Sequence, residues 1–170
     1  GGHRGAFDAS RAEAQGVGLF ALLPLVTDAV SLPVIATGGI MDGRGVAAAL
    51  TLGASAAQMG TAFLRCPEAA IARGWADAIG RATPEDAVAT RAFSGRLGRG
   101  IANAFTRAVS DPLPYPLQRV VTGPMREAAA RADDPARMQM WAGQGAMLAR
   151  AEPAAEVVRR VWAEAEELLR

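Results

Sequence analysis

Pro33-Val34-Ile35-Ala36-Thr37-Gly38-Gly39-Ile40 is the stretch on which the fold turns. A short continuous apolar run, without alternation and closed by two glycines, is the pattern of a parallel β-strand buried on both faces. The pattern returns at Ala54 to Met59, where a second apolar run is closed by Gly60-Thr61. Between the two runs, Asp42 suits a helix N-terminus, and Val46, Ala47, Leu50 and Leu52 carry a helix until Gly53 stops it. Upstream, Gly18 to Val30 places Leu19, Leu22, Leu23, Val26 and Val30 on one helical face, with Pro24 early enough to be tolerated. Two helix-to-strand units in succession predict an α/β fold with a parallel sheet.

Glycines at the C-terminal end of a strand let the main chain approach a ligand, because no Cβ intervenes and positive φ is allowed. When two such turns follow adjacent parallel strands, their N–H groups can converge on one phosphate, aided by nearby helix dipoles. Barrels of alternating strands and helices place phosphates after strands seven and eight in this way. Gly38, Gly39, Gly60 and Thr61 are therefore the candidate anion-binding residues. Gln58 sits in the second turn, and strand alternation allows its side chain to face a ligand or to point away. A third glycine turn, Gly1-Gly2-His3-Arg4-Gly5, carries the only histidine of the chain. A neutral imidazole there can take a proton at physiological pH or hydrogen-bond a bound anion. A chain that opens on such a turn, with neither an initiator Met nor a strand before it, reads as a piece of a longer parent.

Composition narrows the chemistry. The chain has 170 residues of which 51% are hydrophobic, enough for a core and contrary to disorder. A formal charge of +1 provides no basic stripe to neutralise many phosphates of a nucleic acid. All the basic residues are Arg, so Schiff-base chemistry has no lysine in this segment. Cys66 is the only cysteine, which excludes an internal disulfide or a cysteine metal cluster and fits a reducing cytoplasm. No run approaches the length of a membrane span.

Beyond Cys66 the texture changes. Pro67 to Ala82 has the pattern of a helix with Ala70, Ile71, Trp75, Ala78 and Ile79 inward. Ala87 to Phe93 is extended, Ser94 to Phe105 is a Gly/Arg segment without a clear period, and Asp111 to Pro116 is a proline-punctuated turn. Helices are predicted over Leu117 to Ala132 and after Pro153. In the latter, Ala154, Val157, Val158, Val161, Trp162, Ala165, Leu168 and Leu169 keep helical spacing, with Glu156–Arg160 and Glu166–Arg170 as i,i+4 pairs. The expected organisation is residues 1–67 as the α/β part with the phosphate turns, 68–150 as a mostly helical lid or substrate domain, and 151–170 as an amphipathic helix packing on the first part. Trp75 and Trp162 read as core anchors, Cys66 as an inert buried thiol, and Arg96 and Arg99 as surface or lid charges.

Several of these stretches carry a resemblance. Gly-Gly-His-Arg-Gly, Pro-Val-Ile-Ala-Thr-Gly-Gly-Ile with Asp42-Gly43-Arg44, Gln-Met-Gly-Thr-Ala-Phe, Phe93-Ser94-Gly95-Arg96, Tyr115-Pro116 and Trp141-Ala142-Gly143-Gln144 together resemble the nitronate monooxygenase family, formerly called 2-nitropropane dioxygenases. The resemblance implies the C-terminal portion of an FMN-binding (β/α)8 TIM barrel, a flavoprotein oxidising alkyl nitronates with O2. It implies His3 as the catalytic residue, Gly38, Gly39, Gly60 and Thr61, with Gln58 beside them, at the FMN phosphate, and Tyr115, Trp141 and Gln144 on the substrate side. The first three motifs are shared with flavin-dependent enoyl-acyl-carrier-protein reductases, which take hydride from a nicotinamide and form the first alternative. A non-catalytic phosphate-binding remnant is the second. Small molecules are the expected partners, without nucleic acid, membrane or metal; the substrate and the oligomeric state are left open.

Overall fold

In chain order, the computed structural model of residues 1–170 contains β1 (Gly2–His3), α1 (Leu19–Ala29), β2 (Ile35–Thr37), α2 (Gly43–Thr51), β3 (Ala56–Gln58), α3 (Arg73–Arg81), β4 (Ala87–Thr90), β5 (Gly98–Ile101), α4 (Ala104–Ala108), α5 (Leu117–Val121), α6 (Gly123–Arg131) and α7 (Ala154–Leu168). They assemble into two compact units: Gly1–Gln15 with Ile71–Met147, and Gly16–Ala70 with Leu148–Arg170.

The second unit carries the two predicted helix-to-strand repeats. β2 and β3 pair in parallel, with Ile35 opposite Ala56, Ala36 opposite Ala57 and Thr37 opposite Gln58. Asp42 starts α2 as expected, its carboxylate accepting from the amides of Arg44 and Gly45, which satisfies donors that a helix N-terminus otherwise leaves bare. The core joins Leu23, Ala36, Val46, Ala47 and Ala49 to Val157, Val161 and Ala165 of α7. Those three α7 residues lie four apart, so they form one stripe along the helix.

Several expectations for this unit need correction. The β2 strand is buried on one face only: Ala36 is 2% exposed but Ile35 is 60% exposed, because within this unit the packed core lies to one side of the strand pair. α1 buries Leu23 but leaves Leu22 exposed, and Val30 lies just beyond its end and is exposed too. Pro24 lies inside the helix, not in its first turn, and removes the amide that would bond to the Phe20 carbonyl. On α7, Trp162 is 51% exposed and no core anchor, and Val158, Leu168 and Leu169, expected on the packed face, are exposed as well, since they lie off the buried stripe or at the helix end. Arg160 pairs with Glu152 at 2.7 Å and Glu164 at 3.2 Å, while Glu156 pairs with Arg159. Neither predicted i,i+4 pair forms.

The first unit is built around a sheet that the sequence did not announce. β1, β5 and β4 form an antiparallel sheet in that order, with Gly2 opposite Arg99, His3 opposite Gly98, and Ala87 opposite Ile101. The segment expected to be mostly helical therefore has a β framework, and residues 1–15 group with it because β1 is its edge strand. The aperiodic Gly/Arg stretch is β5, whose alternation is one of size: a Cβ on Gly98 or Gly100 would come within 3.0 Å of the Trp141 ring. Small residues on alternate positions leave one face of the strand for that indole.

Two predicted helices also break. Pro67–Ala69 is a single 3₁₀ turn, Ala70 adopts a left-handed φ of 50°, and only Arg73–Arg81 continues as α3. The helix predicted over 117–132 divides at Thr122 into α5 and α6, where Pro124 has no amide to give the Val120 carbonyl. Trp75 is only partly buried, and its Nε1 is enclosed without a hydrogen-bond partner. No helix is long and apolar enough to cross a membrane.

Gly98→Val tests the size alternation. Its side chain would collide with the Trp141 ring and the Gly2 carbonyl, and overpacking of this kind costs about 1–3 kcal/mol. Denaturant unfolding is expected to show a lower midpoint, with Trp141 fluorescence altered before unfolding begins.

Candidate active site

His3 is positioned by its backbone first. It pairs with Gly98 across the β1–β5 ladder, and the next amide, that of Arg4, donates to the Leu97 carbonyl at 2.8 Å. Its Nε2 lies 2.7 Å from Oγ of Ser94, a fully buried residue in the turn that follows β4. That turn closes through amides of Ser94 and Gly95 donating to the Arg91 carbonyl. The Ser94 hydroxyl also donates to the Arg96 carbonyl at 3.2 Å and accepts from the Arg96 amide at 3.3 Å.

Two aromatic rings wall the imidazole. Trp141 lies 5.6 Å away between centroids at 66°, and Tyr115 6.0 Å away at 80°, both edge-on. Such arrangements place positive ring edges against π faces. Trp141 is held in turn by the Phe93 ring at 6.3 Å and by a bridge to Gly100. The proline strap bearing Tyr115 is tied down by buried Gln118, whose Oε1 accepts from the Leu113 amide and whose Nε2 donates to the Ala92 carbonyl at 2.6 Å. Thr122 Oγ1 donates to the Phe93 carbonyl at 2.7 Å. Two buried side chains of α5 and its end thus bind the strap to the turn that carries Ser94.

Of the expected substrate-side residues, the structure brings Tyr115 and Trp141 to His3 but not Gln144, which is exposed and makes no ring or hydrogen-bond contact with it. Ser94, Gln118 and Thr122 were not foreseen as site residues. Ser94 falls in a family-like stretch, but an isolated Ser has no spacing signal. Arg99, expected as a surface or lid charge, is partly buried and donates from Nη1 to the Ala87 carbonyl, joining β5 to β4. Arg96 is half-buried and reaches the Arg4 carbonyl through Nε at 3.4 Å.

The imidazole is biased towards its neutral form. Partial desolvation lowers its pKa, and the guanidinium groups of Arg96 and then Arg119 lower it further. Both effects disfavour a second positive charge at this place.

In the other unit, the glycine turns leave the ends of β2 and β3 side by side, with Thr37 Oγ1 donating to the Gln58 carbonyl at 3.1 Å. Gly38 and Gly39 have φ of 106° and 74°, which a residue with a Cβ adopts only with strain, whereas Gly60 has an ordinary φ of −115°. A Cβ on any of the three meets nothing within 4 Å. The amides of Gly39 and Gly60 donate to no group in the chain. Thr61 begins a 3₁₀ turn directly after. Gln58 lies on the exposed face of the strand pair, opposite to Ala57. An open cradle with unclaimed donors fits a phosphate.

The expected help from a helix dipole needs correction. The first amides of α2 are already claimed, that of Gly43 by Glu164 Oε2 at 3.0 Å and those of Arg44 and Gly45 by Asp42. The Arg44 side chain holds the Asp42 carboxyl below its usual range, and the Gly43 amide does the same for Glu164. Two carboxylates therefore neutralise that helix end, and the donors left for an anion belong to the loops. Cys66 is buried, and burial pushes its thiol up, away from the reactive thiolate. No three His, Cys, Asp or Glu side chains group as a metal site.

Comparison with known proteins adds an independent line. The family described as nitronate monooxygenase matches residues 1–164. Probable nitronate monooxygenases of Staphylococcus aureus strains MSSA476 and Newman are each 44% identical over 165 residues, covering 95% of this chain and 46% of theirs. The structure of a nitroalkane oxidase from Streptomyces ansochromogenes superposes with a TM-score of 0.92 at 42% identity, over 98% of this chain and 49% of that one. FabK from Thermotoga maritima superposes with 0.79 at 31% identity, over 99% and 52%. The chain has the α/β fold of these proteins and spans about half their length.

The electrostatics of His3 give a direct expectation. Its imidazole, the only one in the chain, titrates below the ordinary value of about 6.5. Arg119→Gln moves the midpoint back up, because one of the two repulsive guanidinium charges is removed. Since the folded state binds this proton less readily than the unfolded one, the contribution to stability is full at neutral pH and lost as pH falls through both values. Ring-proton chemical shifts followed against pH measure the midpoint.

Proposed function

We propose, from the premise that the chain belongs to the nitronate monooxygenase family, that it is part of an FMN-dependent oxidoreductase that oxidises alkyl nitronates with O2. The observation that carries this reading is an imidazole biased to neutrality, hydrogen-bonded through one nitrogen and walled by Trp141 and Tyr115. That is the arrangement a base needs to remove a weakly acidic C–H proton near neutral pH. In this reading β2 and β3 are the last two strands of a (β/α)8 barrel, whose complete form needs about 250 residues.

The chain's own groups divide the work. The loops at Gly38, Gly39, Gly60 and Thr61 hold the phosphate of FMN, their donors supporting an anion without competition from α2. Gln58, on the same open face, is placed beside them. FMN held there would supply the two-electron acceptor chemistry that couples nitronate oxidation to O2. His3 takes the proton from the carbon bearing the nitro group, and the electron pair of that C–H bond stays on the substrate as the nitronate. With a preformed nitronate no such proton remains, and a protonated His3 donates a hydrogen bond to the anion. Trp141 and Tyr115 pack edge-on against the imidazole and limit its rotation.

Three measurements test this proposal. Mixed anaerobically with an alkyl nitronate, the flavin-loaded protein is expected to bleach, and to recover its colour with O2; bleaching by NADH or NADPH and not by nitronate establishes the enoyl reductase alternative instead. His3→Asn is expected to keep the flavin but lose about 10²–10⁴-fold in turnover of neutral nitroalkanes, with a smaller loss on nitronates; equal losses leave His3 only a binding role. Gly60→Val, at an ordinary φ in open space, is expected to fold normally yet weaken FMN by roughly 10–100-fold, the worth of one charge-assisted hydrogen bond of about 1.5–3 kcal/mol. Gly39→Val adds a loss of stability of about 1–3 kcal/mol from its left-handed backbone. Flavin titration and thermal melting separate the two glycines.

A further inference from the structure

We infer that Ser94 is a positioning residue that fixes the tautomer of His3, accepting a hydrogen bond from Nε2–H and leaving Nδ1 as the nitrogen that receives protons. A serine hydroxyl has one hydrogen to give and two lone pairs to receive. Three groups compete for them at Ser94: the Arg96 amide at 3.3 Å, the Arg96 carbonyl at 3.2 Å and His3 Nε2 at 2.7 Å. The amide can only donate and takes one lone pair. The carbonyl can only accept and takes the hydrogen. One lone pair is left for Nε2, which must therefore carry a hydrogen itself. Turning the hydroxyl towards Nε2 would take from the carbonyl of half-buried Arg96 the donor that closes the Ser94–Arg96 turn.

The consequence is chemical, and it rests on the proposed role of His3 as the base. A neutral imidazole that spends Nε2–H on Ser94 has a lone pair at Nδ1 but no hydrogen there. It can remove a proton from a neutral nitroalkane and cannot donate to a nitronate. After protonation Nε2–H stays on Ser94, and Nδ1–H becomes the donor. The two substrate forms thus call on opposite charge states of one side chain, and their rates run in opposite directions with pH. The charges acting on that equilibrium are the guanidinium groups of Arg96 and Arg119, with Arg4 adjacent in the chain; the other walls are the Tyr115 phenol ring and the Trp141 indole.

The sign of a pKa change decides the matter. An acceptor at Nε2–H favours the imidazolium over the neutral ring, since hydrogen bonds from a charged donor are the stronger. Ser94→Ala is then expected to lower the His3 midpoint further, and Ser94→Cys, a weaker acceptor, to lower it less. Long-range ¹⁵N–¹H correlation of the chain's only imidazole is expected to show, in the neutral unmutated protein, a protonated Nε2 and a bare Nδ1. With a neutral nitroalkane, Ser94→Ala is expected to reduce kcat roughly 10–100-fold through misorientation, with little change in KM, and to shift the rising limb of the pH profile to lower pH. A protonated Nδ1 in the unmutated protein, or a midpoint raised by Ser94→Ala, overturns the assignment. The unmutated spectrum decides even if a variant misfolds. It also decides if nitronates are not turned over, so a failure of the proposed activity and a failure of this assignment are read separately.

Discussion

The antiparallel pairing of Gly2 and His3 with Arg99 and Gly98 is the constraint on which the candidate active site depends. A strand of two residues has almost no stability of its own, so its place is set by β5. That strand carries alternate glycines because an indole covers it, and the same indole forms a wall of the histidine's surroundings. Backbone pairing, ring packing and the Ser94 hydroxyl therefore converge on one imidazole from residues 91 and more positions away.

Electrostatics then set what that imidazole can do. Histidine is useful near neutral pH because small changes of surroundings move its charge. Here burial and two arginines push in the same direction, and the hydroxyl partner adds direction without a compensating negative charge. A carboxylate in place of Ser94 would hold the ring protonated. A neutral hydroxyl orients it and leaves it a base.

The glycine turns follow a different logic. Their donors are available because nothing in the chain accepts from the Gly39 and Gly60 amides and no side chain occupies the space above them, while the neighbouring helix end is separately satisfied by Asp42 and Glu164. A carboxylate-capped helix next to an anion site looks contradictory until the helix and the loops are distinguished. The capping residues stabilise α2 and its contact with α7, while binding is left to the main chain of the loops. The two carboxylates sit within the compact unit as structural groups, each tied to backbone amides.

The repeat of strand, glycine turn and helix was legible from residue order alone, because parallel strands and helix caps depend on local pattern: Asp42 begins α2, Gly38 and Gly39 end β2, and Val157, Val161 and Ala165 mark the buried stripe of α7. His3 was singled out because it is unique, and Trp141 and Tyr115 because of the company they keep in the sequence. The β5 strand was not legible, since Gly98-Arg99-Gly100 has no apolar alternation; its periodicity is one of room for a ring contributed by Trp141, 41 residues beyond Gly100. Nor was the exposure of Trp162, which a helical count cannot assign to one side of a stripe edge. Ser94 was invisible as a site residue because a hydroxyl acquires its role from the donors and acceptors around it, and those are chosen by folding. Local periodicity determined the elements. Hydrogen-bond geometry between distant residues, which exists only in the folded chain, decided which nitrogen of His3 is free to act.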